Sequence, residues 1–298
     1  MSQSPSTDLF LPAPLLNALP GFGAEGALWL ERLPARVCEL ERAWSITVER
    51  ALDSSGISAW VAPARLSDGS DAILKIGIPH PESRYEAHAL RVWNGRGAVR
   101  LLRASEDGFT LLLEPCVPGA DLWTLPEAEA DAVAAGVLER LWEVTAPGAP
   151  FDQLAEVVEG WCEQLPRMAA ANGCEQDMVA HAIEVARHLV GTQSRTVLLH
   201  GDFHPGNVLS AERQPWLAID GKPVVGDPAY DLAEWIANRY EAVERSLDPV
   251  VPLRRQIARF AGRLHLDPAR IAGWTFVKSL AWEWEPAAAR TFRAVFAG

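Results

Sequence analysis

The sequence predicts an α+β fold in which a small antiparallel sheet precedes a mostly helical part. Residues 46–117 contain short apolar and β-branched runs separated by turn residues such as "DSSG", "SDGS" and "SEDG". Beyond Pro118 and Gly119 the apolar residues take the three- and four-residue spacing of helices. The chain has 298 residues and is 49% hydrophobic, which is enough to bury a sizeable core.

The first part begins with a short helix and is otherwise built around strands. Its predicted elements are a helix over 27–42, strands over 46–52, 57–66 and 71–78, a helix over 81–93, and strands over 95–104 and 109–117. The second part contains helices over 126–145, near 152–171 and near 175–190, two short strands around "LLHGDFHPGNVL", a strand over 215–220, and three or four further helices.

The segment "EPCVPGADL" joins the two parts and contains a Pro-Gly pair. We therefore predict an N-terminal lobe over 1–113, a hinge over 114–120 and a helical C-terminal lobe over 121–298, with a cleft between the lobes.

Composition narrows the possible partners. The formal net charge of -12 argues against nucleic-acid binding, which depends on Lys and Arg. A negative charge would attract a cationic small molecule. It is equally typical of an ordinary acidic protein whose charge has no special function. The four cysteines have no metal-ligand spacing, and we find neither a signal peptide nor an apolar run of membrane-spanning length. We expect a cytoplasmic monomer with reduced thiols that binds neither nucleic acid nor membrane.

The segment "LLHGDFHPGNVL" places polar residues between two short apolar runs. His200, Asp202 and Asn207 match the pattern H-x-D-x-x-x-x-N of the protein-kinase catalytic loop, and Asp220 follows eighteen residues after Asp202 at the end of another strand. Phosphoryl transfer requires a carboxylate that accepts the proton of the attacking hydroxyl, and hard oxygen ligands for Mg²⁺. Asp202 is the candidate base, and Asn207 and Asp220 are the candidate metal ligands.

The segment has two other interpretations. His200 and His204 have the i, i+4 spacing of a zinc site, but a zinc-protease motif needs a helix and a glutamate after the first histidine, where this chain has Gly201. The second alternative is that the segment is only a polar turn. It would leave unexplained why so many positions match the catalytic-loop pattern.

Lys75 in "AILK" lies on the third predicted strand, where kinases place the lysine that contacts phosphates. Glu86, eleven residues later on the following helix, is its expected partner, and Glu82 is the competitor. Taken alone, such a lysine more often lies at a protein surface, but its apolar strand and the aspartate and asparagine residues downstream favour a functional role. Gly56, in the turn between the first two strands, is a weak candidate for a phosphate-covering flap or belongs to a plain hairpin turn.

The hinge predicts an adenine contact. Pro115 has no N–H, so Glu114 is expected to offer its carbonyl and Cys116 its amide, unless this is only a buried strand end. Further on, Asp227 and Asp231 either cap a helix or brace the catalytic loop, and we expect bracing.

Trp274, Lys278 and Trp282 recur every four residues on a C-terminal helix. Such a stripe is usually core, as we expect for Trp274. A guanidinium group would nevertheless suit an aromatic face beside a carboxylate, so Trp282 and Glu283 are candidate acceptor contacts.

These residues together resemble the aminoglycoside phosphotransferases, and within them the aminoglycoside/hydroxyurea antibiotic resistance kinases, a branch that includes streptomycin 6-phosphotransferases. The resemblance covers nearly the whole chain and is carried by "DAILKIGIP", "EAHALRVWNGRGAVRLL", "TLLLEPCVPGADL", "LLHGDFHPGNVL", "LAIDGKPVVGDPAYDLAEW" and "WTFVKSLAW". Gly221 departs from the branch, in which we expect proline at that position.

The resemblance implies a protein-kinase-like two-lobe fold, the cofactors ATP and Mg²⁺, and transfer of the γ-phosphoryl group to a hydroxyl of a small acceptor. It assigns Asp202 as the base, Asn207 and Asp220 as metal ligands, and Lys75 with Glu86 to the nucleotide. Three functions remain open: a phosphotransferase acting on a cationic aminocyclitol, with streptomycin first; a kinase of a sugar, amino sugar or other small metabolite such as hydroxyurea; and a silent kinase-like binding protein. Because all four chemical positions are intact, the sequence argues against the third.

Overall fold

A computed structural model of the chain describes residues 9–53, 56–144, 148, 150–171, 173–238, 240–281 and 286–297. The chain forms two compact units. The first unit contains the residues up to Gly95 together with Val99–Cys116, and the second contains Arg96–Ala98 and Val117–Gly298.

The first unit is a five-stranded antiparallel sheet with helices. Its elements are α1 (Ala13–Ala18), α2 (Gly23–Trp44), β1 (Ile46–Val48), β2 (Ala59–Leu66), β3 (Asp71–Gly77), α3 (Glu86–Trp93), β4 (Leu101–Ala104) and β5 (Thr110–Leu113). The strands lie in the order β1-β2-β3-β5-β4. Leu33, Val37 and Leu40 recur at helical spacing on α2 and share one apolar core with Leu74 and Ile76 of β3. Because side chains alternate along a strand, Lys75 lies on the other face of β3.

The second unit is mostly helical. Its elements are α4 (Glu127–Trp142), β6 (Asp152–Gln153), α5 (Leu154–Ala171), α6 (Gln176–Gly191), β7 (Val197–Leu199), β8 (Val208–Ser210), β9 (Trp216–Ala218), β10 (Val224–Gly226), α7 (Ala229–Asn238), α8 (Tyr240–Val243), α9 (Val250–Leu264), α10 (Pro268–Ala281) and α11 (Pro286–Phe296). Strand β10 pairs antiparallel with β7 and parallel with β6, and β8 and β9 form a separate antiparallel ribbon. No helix within the described ranges is long and apolar enough to cross a membrane.

Several predicted boundaries were wrong. The helix predicted over 27–42 is the 22-residue α2, which begins at Gly23 and ends where Ser45 takes a left-handed backbone. The helix predicted over 81–93 divides into a 3-10 turn at Pro81–Ser83 and α3. Strands β6 and β10 were not predicted, since each has at most three residues and no clear alternation. Five helices follow β10 among the described residues, where three or four were expected, and one of them has four residues.

Candidate active site

Gly201 gives the polar loop after β7 its sharp turn. Its φ of +82° lies in the left-handed region, and a Cβ atom there would lie 1.9 Å from the carbonyl oxygen of Lys222. The backbone N–H of Lys222 in turn donates to the carbonyl of His200 at 2.8 Å. Only glycine therefore allows the two backbone segments to approach this closely.

Asp231 fixes the same loop from helix α7. Its carboxyl accepts hydrogen bonds from the backbone N–H groups of His200 (3.0 Å) and Gly201 (2.8 Å), and from the indole N–H of Trp142 (2.9 Å). Asp231 is fully buried, and burial raises the pKa of its carboxyl although His200 and the donors oppose this effect. The expectation that Asp231 braces the loop is confirmed.

His200 connects the loop to the segment that carries Asp220. Its Nε2 donates to the carbonyl of Ile219 at 2.9 Å, and its Nδ1 accepts from the backbone N–H of Asp202 at 3.3 Å. Burial lowers the pKa of His200 and favours the neutral ring that this bonding pattern requires. Since both ring nitrogens are engaged, His200 has no lone pair for zinc.

Asn207 and Asp220 come together at the end of the β8–β9 ribbon. The carbonyl of Asn207 accepts from the N–H of Ile219 at 2.9 Å, and Asp220 is the next residue along the chain. The Asn207 side-chain amide donates to the carbonyl of Asp202 at 2.9 Å, so the side-chain oxygen is the atom that could bind a metal. Asp220 has a left-handed backbone with φ +57°, typical of functional positions. One amide and one carboxylate oxygen fit the preference of Mg²⁺.

Asp202, the candidate base, forms an ion pair that the sequence analysis missed. The Nζ atom of Lys222 lies 3.2 Å from Asp202 Oδ2, and the two side chains are 26% and 12% exposed. The available signal was compositional, because Lys222 is one of only three lysines in the chain.

In the first unit, Lys75 pairs with Glu86 as predicted. Its Nζ lies 2.7 and 2.6 Å from the two carboxylate oxygens of Glu86, and both side chains are buried. Glu82 is exposed and its backbone N–H is capped by His80, so the competitor is ruled out as the main partner.

The other predicted nucleotide contacts lie apart from this pair along the chain. Gly56 is exposed in the connection between β1 and β2. Glu114 directly follows β5, where its N–H donates to the carbonyl of Arg100 and its carboxylate accepts from the Arg100 N–H. Cys116 is partly buried. Their roles stay predictions, and Trp282 and Glu283 lie outside the described residues.

Asp227 ties α7 to α10. One oxygen accepts from the N–H of Ala229 and caps α7, and the other accepts from the indole of Trp274 (2.8 Å) and from Arg270 (2.8 and 2.6 Å). Trp274 is fully buried, so it belongs to the core as expected. The contact with Arg270 was missed, because it joins residues 43 positions apart.

The family model for aminoglycoside/hydroxyurea antibiotic resistance kinases matches residues 44–288. The chain is 36% identical to a streptomycin 6-kinase of Streptomyces glaucescens, over 91% of this chain and 88% of the relative. It is 38% identical to a hydroxyurea phosphotransferase of Kitasatospora aureofaciens, over 92% and 80%.

Solved structures show the same fold. The aminoglycoside phosphotransferase APH(3'')-Id of Streptomyces rimosus, in complex with ADP and streptomycin, superposes with a TM-score of 0.56 at 19% identity, over 84% of this chain and 99% of that one. An ethanolamine kinase of Plasmodium vivax gives a TM-score of 0.60 at 14% identity, over 85% and 81%. These likenesses confirm the predicted protein-kinase-like fold. The extent of the family match and the identity to the two curated relatives establish that the chain belongs to the aminoglycoside/hydroxyurea antibiotic resistance kinases, a family of small-molecule phosphotransferases.

Proposed function

We propose that this protein transfers the γ-phosphoryl group of ATP to a hydroxyl of streptomycin or a similar cationic aminocyclitol. The observation that carries the proposal is the second unit's loop. The Asn207 side-chain amide donates to the carbonyl of Asp202, and the Asn207 carbonyl accepts from the N–H of the residue before Asp220. This set contains one carboxylate for a proton and two oxygen ligands for a metal, which are the groups that phosphoryl transfer needs.

Asp202 is the general base in this proposal. It accepts the proton of the acceptor hydroxyl while the acceptor oxygen bonds to the γ-phosphorus and the bond to the bridging oxygen breaks, which releases ADP. His200 and Asp231 orient Asp202 through the backbone of its loop. Removing a positioned base typically lowers the rate about 10²–10⁴-fold.

Asn207 and Asp220 hold Mg²⁺, and Lys75 contacts the phosphates of the nucleotide. Bound Mg²⁺ supplies charge neutralisation at the phosphate oxygens. Glu86 holds the Lys75 ammonium in a buried ion pair and so fixes its position. Gly56, Glu114 and Cys116 remain the proposed contacts to the phosphates and the adenine.

Net charge and the named relatives support the proposed acceptor. A net charge of -12 attracts a cationic acceptor, and the relatives include streptomycin 6-kinases at 36% and 35% identity. Hydroxyurea is the second candidate, because a hydroxyurea phosphotransferase is 38% identical. Hydroxyurea is neutral, so electrostatic attraction to the acidic protein favours only streptomycin.

Turnover of ATP with streptomycin and with hydroxyurea separates the two acceptors. We expect phosphorylated streptomycin by mass spectrometry, and a streptomycin KM that rises between 50 and 300 mM salt, since screening weakens attraction to a cation. Phosphorylation of hydroxyurea alone, with a KM insensitive to salt, would select the second acceptor. If the protein phosphorylated neither streptomycin nor hydroxyurea, both proposed activities would be contradicted.

Two isosteric variants test the proposed roles. In Asp202→Asn turnover should collapse while Mg·ATP still binds in calorimetry, because the amide cannot accept the proton. In Asp220→Asn both turnover and metal-dependent nucleotide affinity should fall, because an anionic ligand is lost. Asp248→Asn, at an exposed helix cap, is the matched control. Loss of Mg·ATP binding in Asp202→Asn alone would reverse the assignment.

A further inference from the structure

We propose that Lys222 is a catalytic residue whose ammonium group contacts the transferred phosphoryl group. The inference rests on the function proposed above, in which Asp202 is the base. It assigns a role to a side chain that the motif analysis did not use.

The position of Lys222 is set by its backbone. Its N–H donates to the carbonyl of His200, and its carbonyl lies against Gly201. These contacts would form with almost any residue here, so they do not require a lysine. The side chain separately reaches Asp202, with Nζ 3.2 Å from Oδ2, and remains partly exposed. The lysine side chain therefore has a function beyond holding the loop.

The use of lysine across the chain supports this conclusion. The sequence has 27 basic Lys and Arg residues, of which only three are lysine. The other two lysines, Lys75 and Lys278, are buried ion-pair residues, with Glu86 and Glu234 as their partners. Exposed basic positions are filled by arginine. Lysine is thus found where the site needs a compact charge on a flexible side chain. The planar guanidinium group of arginine does not provide this.

The distances required for chemistry place the reacting group near Nζ. A hydroxyl bound by Asp202 lies within about 3 Å of the carboxylate, and a reacting phosphorus lies about 3–3.5 Å from that hydroxyl oxygen. Nζ is already one hydrogen bond from the same carboxylate. Rotation of the lysine stem then brings the ammonium to the phosphoryl oxygens, where it offsets the charge that develops during transfer. Lys222 exchanges no proton in this step.

The first test compares Lys222→Met and Lys222→Arg with wild type. In Lys222→Met we expect kcat to fall about 10²-fold or more, as for other lost transition-state donors, with the Kd for Mg·ATP unchanged. Lys222→Arg should recover part of the rate because it keeps the charge. Arg187→Met is the matched control, since it removes one cation from an exposed carboxylate pair in the same unit. Thermal unfolding checks that every variant is folded.

The second test measures binding without turnover. Calorimetry with ADP, Mg²⁺ and tetrafluoroaluminate, whose planar anion resembles the phosphoryl group in transfer, should show at least a tenfold loss of affinity in Lys222→Met. Asp202→Asn should bind this analogue like wild type. In a separate turnover assay, the double variant Lys222→Met/Asp202→Asn should be slower than Asp202→Asn alone.

If Lys222 served only to orient Asp202, the analogue would bind Lys222→Met like wild type and the double variant would match Asp202→Asn; either result overturns the proposal. A wild-type protein that neither phosphorylates an acceptor nor binds the analogue contradicts the proposed function itself, and this inference with it.

Discussion

Asp231 offers the sharpest test of how the loop is held. Both of its oxygens accept hydrogen bonds: Oδ2 from His200 N–H and Trp142 Nε1, and Oδ1 from Gly201 N–H. In Asp231→Asn the new NH₂ group must face a donor whichever way the amide turns. The favoured orientation leaves the Gly201 N–H unpaired, which costs about 1–3 kcal/mol for a buried group.

The whole effect of Asp231→Asn should be about 2–4 kcal/mol, because the two remaining bonds lose the charge that strengthens them. Asp231→Ala should cost more, about 4 kcal/mol or above, since all three buried donors lose their acceptor. The measurement is the free energy of unfolding in urea at pH 7, with turnover measured under native conditions. We expect turnover to fall in both variants because the loop carries Asp202.

The control is again Asp248→Asn, in which an exposed aspartate accepts one backbone N–H from Val250. Asparagine is as good a helix cap as aspartate, so the unfolding free energy should change by less than about 0.5 kcal/mol. An Asp231→Asn protein as stable as this control would refute the reasoning that three buried donors depend on one carboxyl.

Three further predictions concern His200, Gly201 and Lys75. Burial lowers the pKa of His200, so its contribution to stability is present above the unfolded pKa of about 6.5 and is lost as pH falls towards the folded pKa. The free energy of unfolding should therefore decrease as the solution is acidified. His200→Gln should reduce this decrease by up to about 1.4 kcal/mol per pH unit, measured by denaturant titration at several pH values. Gly201→Ala should cost about 4 kcal/mol or more and abolish turnover, whereas Gly69→Ala, at φ +86° with open space around it, should cost about 1–2 kcal/mol in the same urea assay. Lys75→Met should cost about 3–5 kcal/mol by leaving the buried Glu86 unpaired; adding Glu86→Gln should recover stability but not the calorimetric affinity for Mg·ATP, and recovered affinity would remove Lys75 from the nucleotide.

The parts of the site that the sequence predicts are those with a local pattern. The positions of Asp202 and Asn207 follow from a five-residue spacing within one loop. The Lys75–Glu86 pair follows from a strand succeeded by a helix, which brings the two side chains together over eleven residues. In both cases the chain between the two residues is short, so its geometry is limited by backbone sterics.

The remaining parts depend on contacts between distant segments. Trp142 and Asp231 are 89 positions apart and meet only after α4 packs near β7. The parallel pairing of β10 with β6 joins two strands that are separated along the chain by two α-helices and three strands. No local sequence pattern predicts either contact. Lys222 was missed for a different reason, since its neighbours suggest a turn and its partner lies twenty positions earlier.

Two aspartates near the start of helix α7 hold different parts of the second unit. Asp231 holds the loop through the backbone N–H groups of His200 and Gly201, which any side chain would offer. Just before the same helix, Asp227 holds α10 through Arg270 and Trp274. Relatives named for streptomycin and for hydroxyurea are 36% and 38% identical to this chain. Overall identity of this size therefore does not select between the two acceptors. For that reason turnover with each acceptor, together with its salt dependence, discriminates where similarity does not.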